Sequence, residues 1–255
     1  MRLAALYDIH GNLPALEAVL AAVRSAGVDQ IVIGGDVVPG PMPRGSIDRL
    51  LAVETPIRFI TGNGDREIVS LRRDGRSGGF PEIFRPMMQW VAEQLTPADE
   101  AWLAGWPATL TINMPAIGEV LFCHATPRSD SEIFTRATPE AAVATALNGV
   151  SAGLVVCGHT HMQFDRVVGG IRVVNAGSVG MPFQEPGAYW LLLDSNRAGD
   201  GQHIELQRTV YDLESAAGAV RGTSYPLAAT FAADSILRPP AEATMVEAFT
   251  AAGLK

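Results

Sequence analysis

The sequence predicts an α/β fold in which two β-sheets pack on each other, with a helical insertion and a helical C-terminal tail. Three observations carry this. Between residues 2 and 61, short apolar runs alternate with helical periodicity, the rhythm of a parallel sheet with crossover helices. From 108 to 210, strand-like runs follow one another with one helix among them, enough for a second sheet on the first. From Asp212 the chain turns alanine-rich and helical.

In order, "RLAALY" (2–7) reads as a buried strand. "NLPALEAVLAAVRSAG" follows, with Leu13, Leu16, Leu20 and Val23 at helical spacing, Asn12 as N-cap, Pro14 in the first turn and Gly27 as the stop. "QIVIGG" (30–35) is a second strand, a helix is expected over about 45–53, and "PIRFIT" (56–61) is a third strand. Residues 66–107 break the rhythm. "DGRSGGFP" reads as a loop, and "EIFRPMMQWVAEQL" and "TPADEAWLAGW" as helices, the second capped by Thr96 before Pro97. This stretch is read as an ordinary insertion whose Phe84, Met87, Met88 and Trp90 cover the core, in preference to a lid or a dimer surface. Strands are then expected at "ATLTINM", "GEVLFCH", "GLVVCGH", "IRVVNAG", "AYWLLLD" and "HIELQRTV", with a helix at 139–148. With no repeat or low-complexity linker, residues 1–255 read as a single domain.

Composition narrows the function. Hydrophobic content of 47% with 18% charged residues suits a soluble chain, and there is no run of eighteen apolar residues. The N-terminal apolar run is broken by Asp8, so no signal peptide is expected and the cytoplasm is the expected location. A net charge of −8 argues against long nucleic acid but not against a phosphate ester, because bound cations supply local positive charge. Cys123 and Cys157 sit in apolar runs and read as buried thiols; their spacing fits no zinc finger. No G-x-G-x-x-G follows the first strand, which excludes a dinucleotide fold.

The polar residues at the strand ends carry the chemistry. "YDIHGN" provides Asp8 and His10, "GGDVVPG" Asp36, "TGNGD" Asn63, "FCHATP" His124, and "CGHTHM" His159 and His161. Ligand sites of open α/β sheets lie beyond the carboxyl ends of their strands, so these side chains converge if the strands are neighbours. Asp8/His10 and His159/His161 are i, i+2 pairs, which point the same way from an extended segment and can grip one cation. Imidazole with carboxylate suits manganese, iron, nickel or zinc. Each motif alone is weak, since a single strand-end histidine is more often structural than a ligand. Together they are specific: four of the five histidines fall in these junctions, and only His203 lies outside, with a structural, exposed role expected.

This ordered set resembles the calcineurin-like metallophosphoesterase superfamily, whose signature runs D-x-H, G-D, G-N-H-[DE], H, G-H-x-H. The resemblance extends from residue 3 to about 194, and "NAGSVGMP" and "HATPRSD" are similar to its small bacterial and archaeal phosphodiesterase branch. It implies two mixed sheets flanked by helices, an α/β/β/α sandwich. It also implies a dinuclear site with Asp8, His10 and His161 on one ion, Asn63, His124 and His159 on the other, and Asp36 bridging. Two divalent ions, manganese first and iron, zinc or nickel as alternatives, would share a hydroxide that attacks phosphorus.

The sequence departs from the family at Gly64, where many members carry a histidine that protonates the leaving group. Asp65 then loses its usual partner and reads as pairing with Arg66 or capping a helix. No catalytic side chain beyond the metal-bound hydroxide is assigned. Arg128, Asn12 and Arg66 are candidate substrate contacts, and Ser178, with no evident base, reads as a turn residue. The expected function is hydrolysis of a small or nucleotide-like phosphodiester. Alternatives are a phosphomonoesterase or protein phosphatase, or a non-catalytic scaffold of the kind attributed to a retromer subunit of this superfamily. The full ligand set favours an enzyme.

Overall fold

The computed structural model describes residues 1–75, 78, 81–183, 185–196 and 203–254. Its first sheet joins β1 (Arg2–Leu6), β2 (Gln30–Ile33), β3 (Ile57–Phe59), β9 (Ala188–Asp194) and β10 (His203–Thr209) in the order β10-β9-β1-β2-β3. β1, β2 and β3 are parallel, and β9 and β10 close the sheet antiparallel. The second sheet has the order β4-β5-β6-β8-β7, from β4 (Thr109–Met114), β5 (Gly118–Cys123), β6 (Leu154–Cys157), β7 (Phe164–Val168) and β8 (Ile171–Asn175). Its three inner strands are parallel and both edges antiparallel. Both sheets are therefore mixed, as expected.

Alternation along the strands explains the layering. Leu3, Ala5 and Tyr7 point between the sheets and meet Val120, Phe122, Leu154, Val156 and Leu191. Ala4 and Leu6 point outward onto Leu16, Val19 and Val23 of α1 (Leu13–Ala26). Val155 and Val173 point outward from the second sheet onto Val143 of α6 (Glu140–Ala146) and Leu147. Strands buried on both faces need apolar residues at every position, which is why they stand out as continuous runs. Cys123 and Cys157 are buried free thiols within this packing. No helix among the described residues is long and apolar enough to cross a membrane.

The helix ends follow their sequence signals. Asn12 accepts from the Ala15 amide at 3.3 Å, and Gly27 ends α1 at φ 61°. α2 spans Pro43–Leu51, two residues earlier than the reading, with proline in its first turn. In α5 (Pro97–Ala104), Thr96 and Asp99 form the expected capping box. Two elements differ from the expectation. A helix, α3 (Asn63–Asp74), begins directly at the proposed ligand Asn63. β7 is an additional strand with exposed Asp165 at its second position. Half of the loop expected at "DGRSGGFP", residues 76, 77, 79 and 80, lies outside the described residues, as does the side chain of His203.

The insertion continues through α4 (Arg85–Gln94), where Trp90 meets Tyr225 of the tail edge to face at 5.4 Å. The tail comprises α7 (Leu213–Arg221), α8 (Ala228–Phe231), a π-helical turn at Ala232–Leu237 and α9 (Glu242–Ala252). Insertion and tail thus come together although far apart in the sequence.

Candidate metal centre

The carboxyl ends of β1, β2, β5 and β6 bring their polar termini to one point. Asp8, His10, Asp36, His159 and His161 all have left-handed backbone, with φ between 49° and 65°. Among the described residues only one other non-glycine, Ala116, does so. The i, i+2 pairs are therefore not held by extended chain, as the sequence reading supposed; each sits in a left-handed turn. Such a residue costs about 1–2 kcal/mol and persists only where its surroundings fix it. They do so here. Asp8 N–H donates to the Gly35 carbonyl at 3.1 Å and His10 N–H to that of Asp36 at 2.9 Å. The Ser178 hydroxyl donates to the Asp8 carbonyl at 2.8 Å and accepts from Met181 N–H at 2.7 Å, a turn clamp of the kind the sequence suggested.

Each carboxylate is anchored by one oxygen. Asp8 Oδ2 accepts from His159 N–H at 2.8 Å, and Asp36 Oδ1 from Gly64 N–H at 2.7 Å, the first turn of α3. The other oxygens face imidazoles. Asp8 Oδ1 lies 3.4 Å from His161 Nε2, 3.7 Å from His124 Nε2 and 3.9 Å from His10 Nε2. Asp36 Oδ2 lies 3.6 Å from His124 Nε2 and 3.8 Å from His10 Nε2. Asp8 is common to the two clusters, Asp8–His10–His161 and Asp8–Asp36–His124. The Asn63 amide lies 3.0 Å from His124 Nε2, and the ring of His159 is 5.2 Å from that of His124.

The far side of each ring settles its tautomer. His10, His124 and His161 place Nδ1 at 3.0, 2.8 and 2.7 Å from the carbonyls of Pro39, Gly34 and Met181. A carbonyl only accepts, so each Nδ1 carries a proton, and each ring in its neutral form turns a lone pair inward. In that form His10 Nε2 and His161 Nε2 face each other at 3.1 Å with no proton between them. Asp8 Oδ1 is buried without a hydrogen-bond partner. Inward lone pairs, an orphaned carboxylate oxygen and backbone acceptors behind the rings fit a divalent cation.

Electrostatics follow from this crowding. Burial acts to raise the Asp8 pKa, but His161, His124 and His10 hold it well below the usual carboxylate range. Burial, with His161 opposite, lowers that of His10. Burial and neighbouring His124 bring His159 down to about 4. For His124, burial is outweighed by Asp36 and Asp8, and its pKa rises. Burial and Asp36 raise Asp65 to about 7. Asp65 caps α3 through Gly62 N–H at 3.4 Å and also accepts from Val37 and Val38 N–H at 2.9 and 3.1 Å, so it ties α3 to the loop bearing Asp36.

The other candidates lie elsewhere. Asn12 is buried, its amide donating to the Gly180 carbonyl at 2.9 Å. Arg66 pairs with Asp130 and Glu67, both at 2.6 Å, and Arg128 pairs with Glu132 at 2.6 Å. None of the three lines the cavity over the centre. Gly64 does reach the centre, but a side chain there has no room. A Cβ would stand 2.5 Å from Pro39 Cγ and 3.0 Å from Asp36 Oδ1.

The sequence reading did not find the cavity wall. His10, Asp36, Asn63, His159 and His161 border a space of about 500 Å³ whose other lining includes Met87 and Met88 of α4 and Tyr225 and Phe231 of the tail. Phe183 stacks on His161 with ring centroids 5.0 Å apart. The insertion thus lines the space over the centre as well as covering the core.

A family profile, the calcineurin-like phosphoesterase superfamily domain, matches residues 1–197. Among solved structures, the chain is similar to a hypothetical protein from Pyrococcus horikoshii, with TM-score 0.77, 20% identity, and 94% of this chain and 99% of that one covered. It is also similar to a metallophosphoesterase from Sphaerobacter thermophilus, with TM-score 0.68, 25% identity, and 92% and 99% covered. At 20% identity the first likeness is one of fold. No curated protein matches.

Proposed function

We propose that this chain, which belongs to the calcineurin-like phosphoesterase superfamily, is a metal-dependent phosphodiesterase acting on a small phosphodiester. One observation carries the reading: a buried, unpartnered Asp8 Oδ1 faces the inward lone pairs of His10, His124 and His161. Asp8, His10 and His161 would hold one divalent ion, and Asn63, His124 and His159 a second, with Asp36 between them. Manganese is the expected metal, with iron, zinc and nickel as alternatives. When bound, such ions supply Lewis acidity toward a phosphate oxygen and make water acidic enough to ionise near neutral pH.

The chain's own residues supply the frame. The amides of His159 and Gly64 stop the two carboxylates from rotating. Burial and His124 keep His159 neutral, with its lone pair available at ordinary pH. Among the described residues no lysine or arginine lines the cavity, so a dianionic monoester lacks a basic partner for its extra charge. A diester carries a single charge, and this difference supports diester over monoester. The crowding at Gly64 leaves the usual position of the leaving-group acid empty, which favours leaving groups that depart without a proton.

The test is hydrolysis of bis-p-nitrophenyl phosphate against p-nitrophenyl phosphate by metal-stripped protein resupplied with manganese. Both release the same leaving group. The diester is expected to have the higher kcat/KM by at least about tenfold, or 1.4 kcal/mol at the transition state. A preference for the monoester overturns the subtype. Turnover of neither, with two ions shown bound, overturns the hydrolase.

A further inference from the structure

The cavity over the centre is far larger than one phosphate needs, and its walls are of the wrong kind for one. Its volume of about 500 Å³ falls in the range of pockets that enclose whole small molecules. Above the floor of proposed ligands the lining is apolar, with Met87, Met88, Met181, Phe183, Phe231 and Phe249 prominent. Phe84 and Leu227 also line it while 41% and 43% exposed, so apolar surface faces water beside the centre. The charged groups other than histidine among the described lining residues are the carboxylates of Asp36 and Asp234, the latter carried by the π-helical turn. A second phosphate on the substrate would find a carboxylate there, with no guanidinium or ammonium among the described lining residues to offset it.

We infer that the substrate's second ester group is apolar, an alkyl or aryl group packed in this cavity while its one phosphate meets the metal centre. The inference rests on the phosphodiesterase reading and narrows it. Compounds with several phosphates, such as nucleoside polyphosphates and cyclic dinucleotides, are disfavoured by the same lining. Methionine side chains adapt to groups of varied shape, so the cavity selects by polarity and size more than by outline.

The test uses the manganese-loaded protein and p-nitrophenyl diesters whose second group is methyl, butyl, hexyl or phenyl. The leaving group is constant, so differences in kcat/KM report on the second group alone. Each added methylene is expected to raise kcat/KM by roughly threefold to fourfold until the cavity is full. Phenyl compared with hexyl tells an aryl from an alkyl preference. Phe84→Ser and Leu227→Ser, at half-exposed positions that leave the core intact, are expected to lower the hexyl-to-methyl ratio. A flat or falling series overturns the inference even if every diester is hydrolysed. If none is hydrolysed, calorimetric binding of dihexyl and dimethyl phosphate to the same protein decides. A large preference for dihexyl keeps the apolar site and removes the hydrolase; equal or absent binding overturns the inference.

Discussion

His10 and His161 present their Nε2 atoms to each other across 3.1 Å, and as neutral rings neither has a proton to give. Their Nδ1 protons go to the Pro39 and Met181 carbonyls. Two lone pairs held this close, beside the Asp8 carboxylate, are stable together only around positive charge. Metal-stripped protein is therefore expected to gain about 2.7 kcal/mol when manganese reaches a hundred times its dissociation constant. Scanning calorimetry at increasing manganese measures this as a rising Tm, and His161→Ala should remove most of the rise. A Tm indifferent to manganese would count against the centre.

The anchoring of Asp8 separates charge from shape. Asp8→Asn keeps an oxygen for the His159 amide but removes the charge, so manganese affinity should fall by more than the roughly 10–100-fold typical of outer partners. Ser178→Ala, which releases the Asp8 carbonyl and Met181 amide, should fall within that range. Calorimetric titration distinguishes the two.

Pro39 decides what position 64 can hold. Gly64→His alone should reduce kcat/KM, because its Cβ meets Pro39 Cγ and Asp36 before any acid is placed. Pro39→Ala combined with Gly64→His opens that space. The double variant should regain part of the roughly 10²–10⁴-fold that a positioned acid contributes, and only for poor leaving groups. Plots of log kcat/KM against leaving-group pKa should be steep for the parent and shallower for the double variant.

Asp99 should give the insertion a measurable acid sensitivity. Its carboxylate accepts from the Thr96 amide at 2.8 Å and hydroxyl at 2.6 Å and pairs with Arg44. Partial burial acts to raise its pKa, but the Thr96 hydrogen bonds and Arg44 lower it. A carboxyl with a lowered folded-state pKa stabilises fully above its unfolded value and loses that contribution as pH falls through the folded one. Asp99→Ala should therefore cost about 1–2 kcal/mol near neutral pH. The cost should hold down to about pH 5 and shrink below about pH 4, as read by urea unfolding across pH.

The convergence of polar strand ends was legible because the proposed ligands other than His161 follow directly on apolar runs and glycines flag the turns. The backbone that does it was not. Left-handed conformation recurs at Asp8, His10, Asp36, His159 and His161, and at Asp8 and His10 it is held by hydrogen bonds to Gly35, Asp36 and Ser178, which come from distant strands. β7 escaped notice because an edge strand with exposed polar positions lacks the continuous apolar run that marks its buried neighbours. The cavity wall escaped for another reason. Phe84, Met87, Phe231 and Phe249 send the same amphipathic signal whether they pack on a core or border a site, and only the tertiary fold tells which.

The centre draws its proposed ligands from residues 8 to 161, whereas much of the space above it is walled by residues 225 to 249, beyond the reach of the family profile. On the proposed function, part of what selects the reactant would thus be recorded outside the stretch that holds the ligands. Mutation in that later stretch could then try new clients while the ligands keep their trade, so selection could diversify this lineage without first dismantling what makes it react.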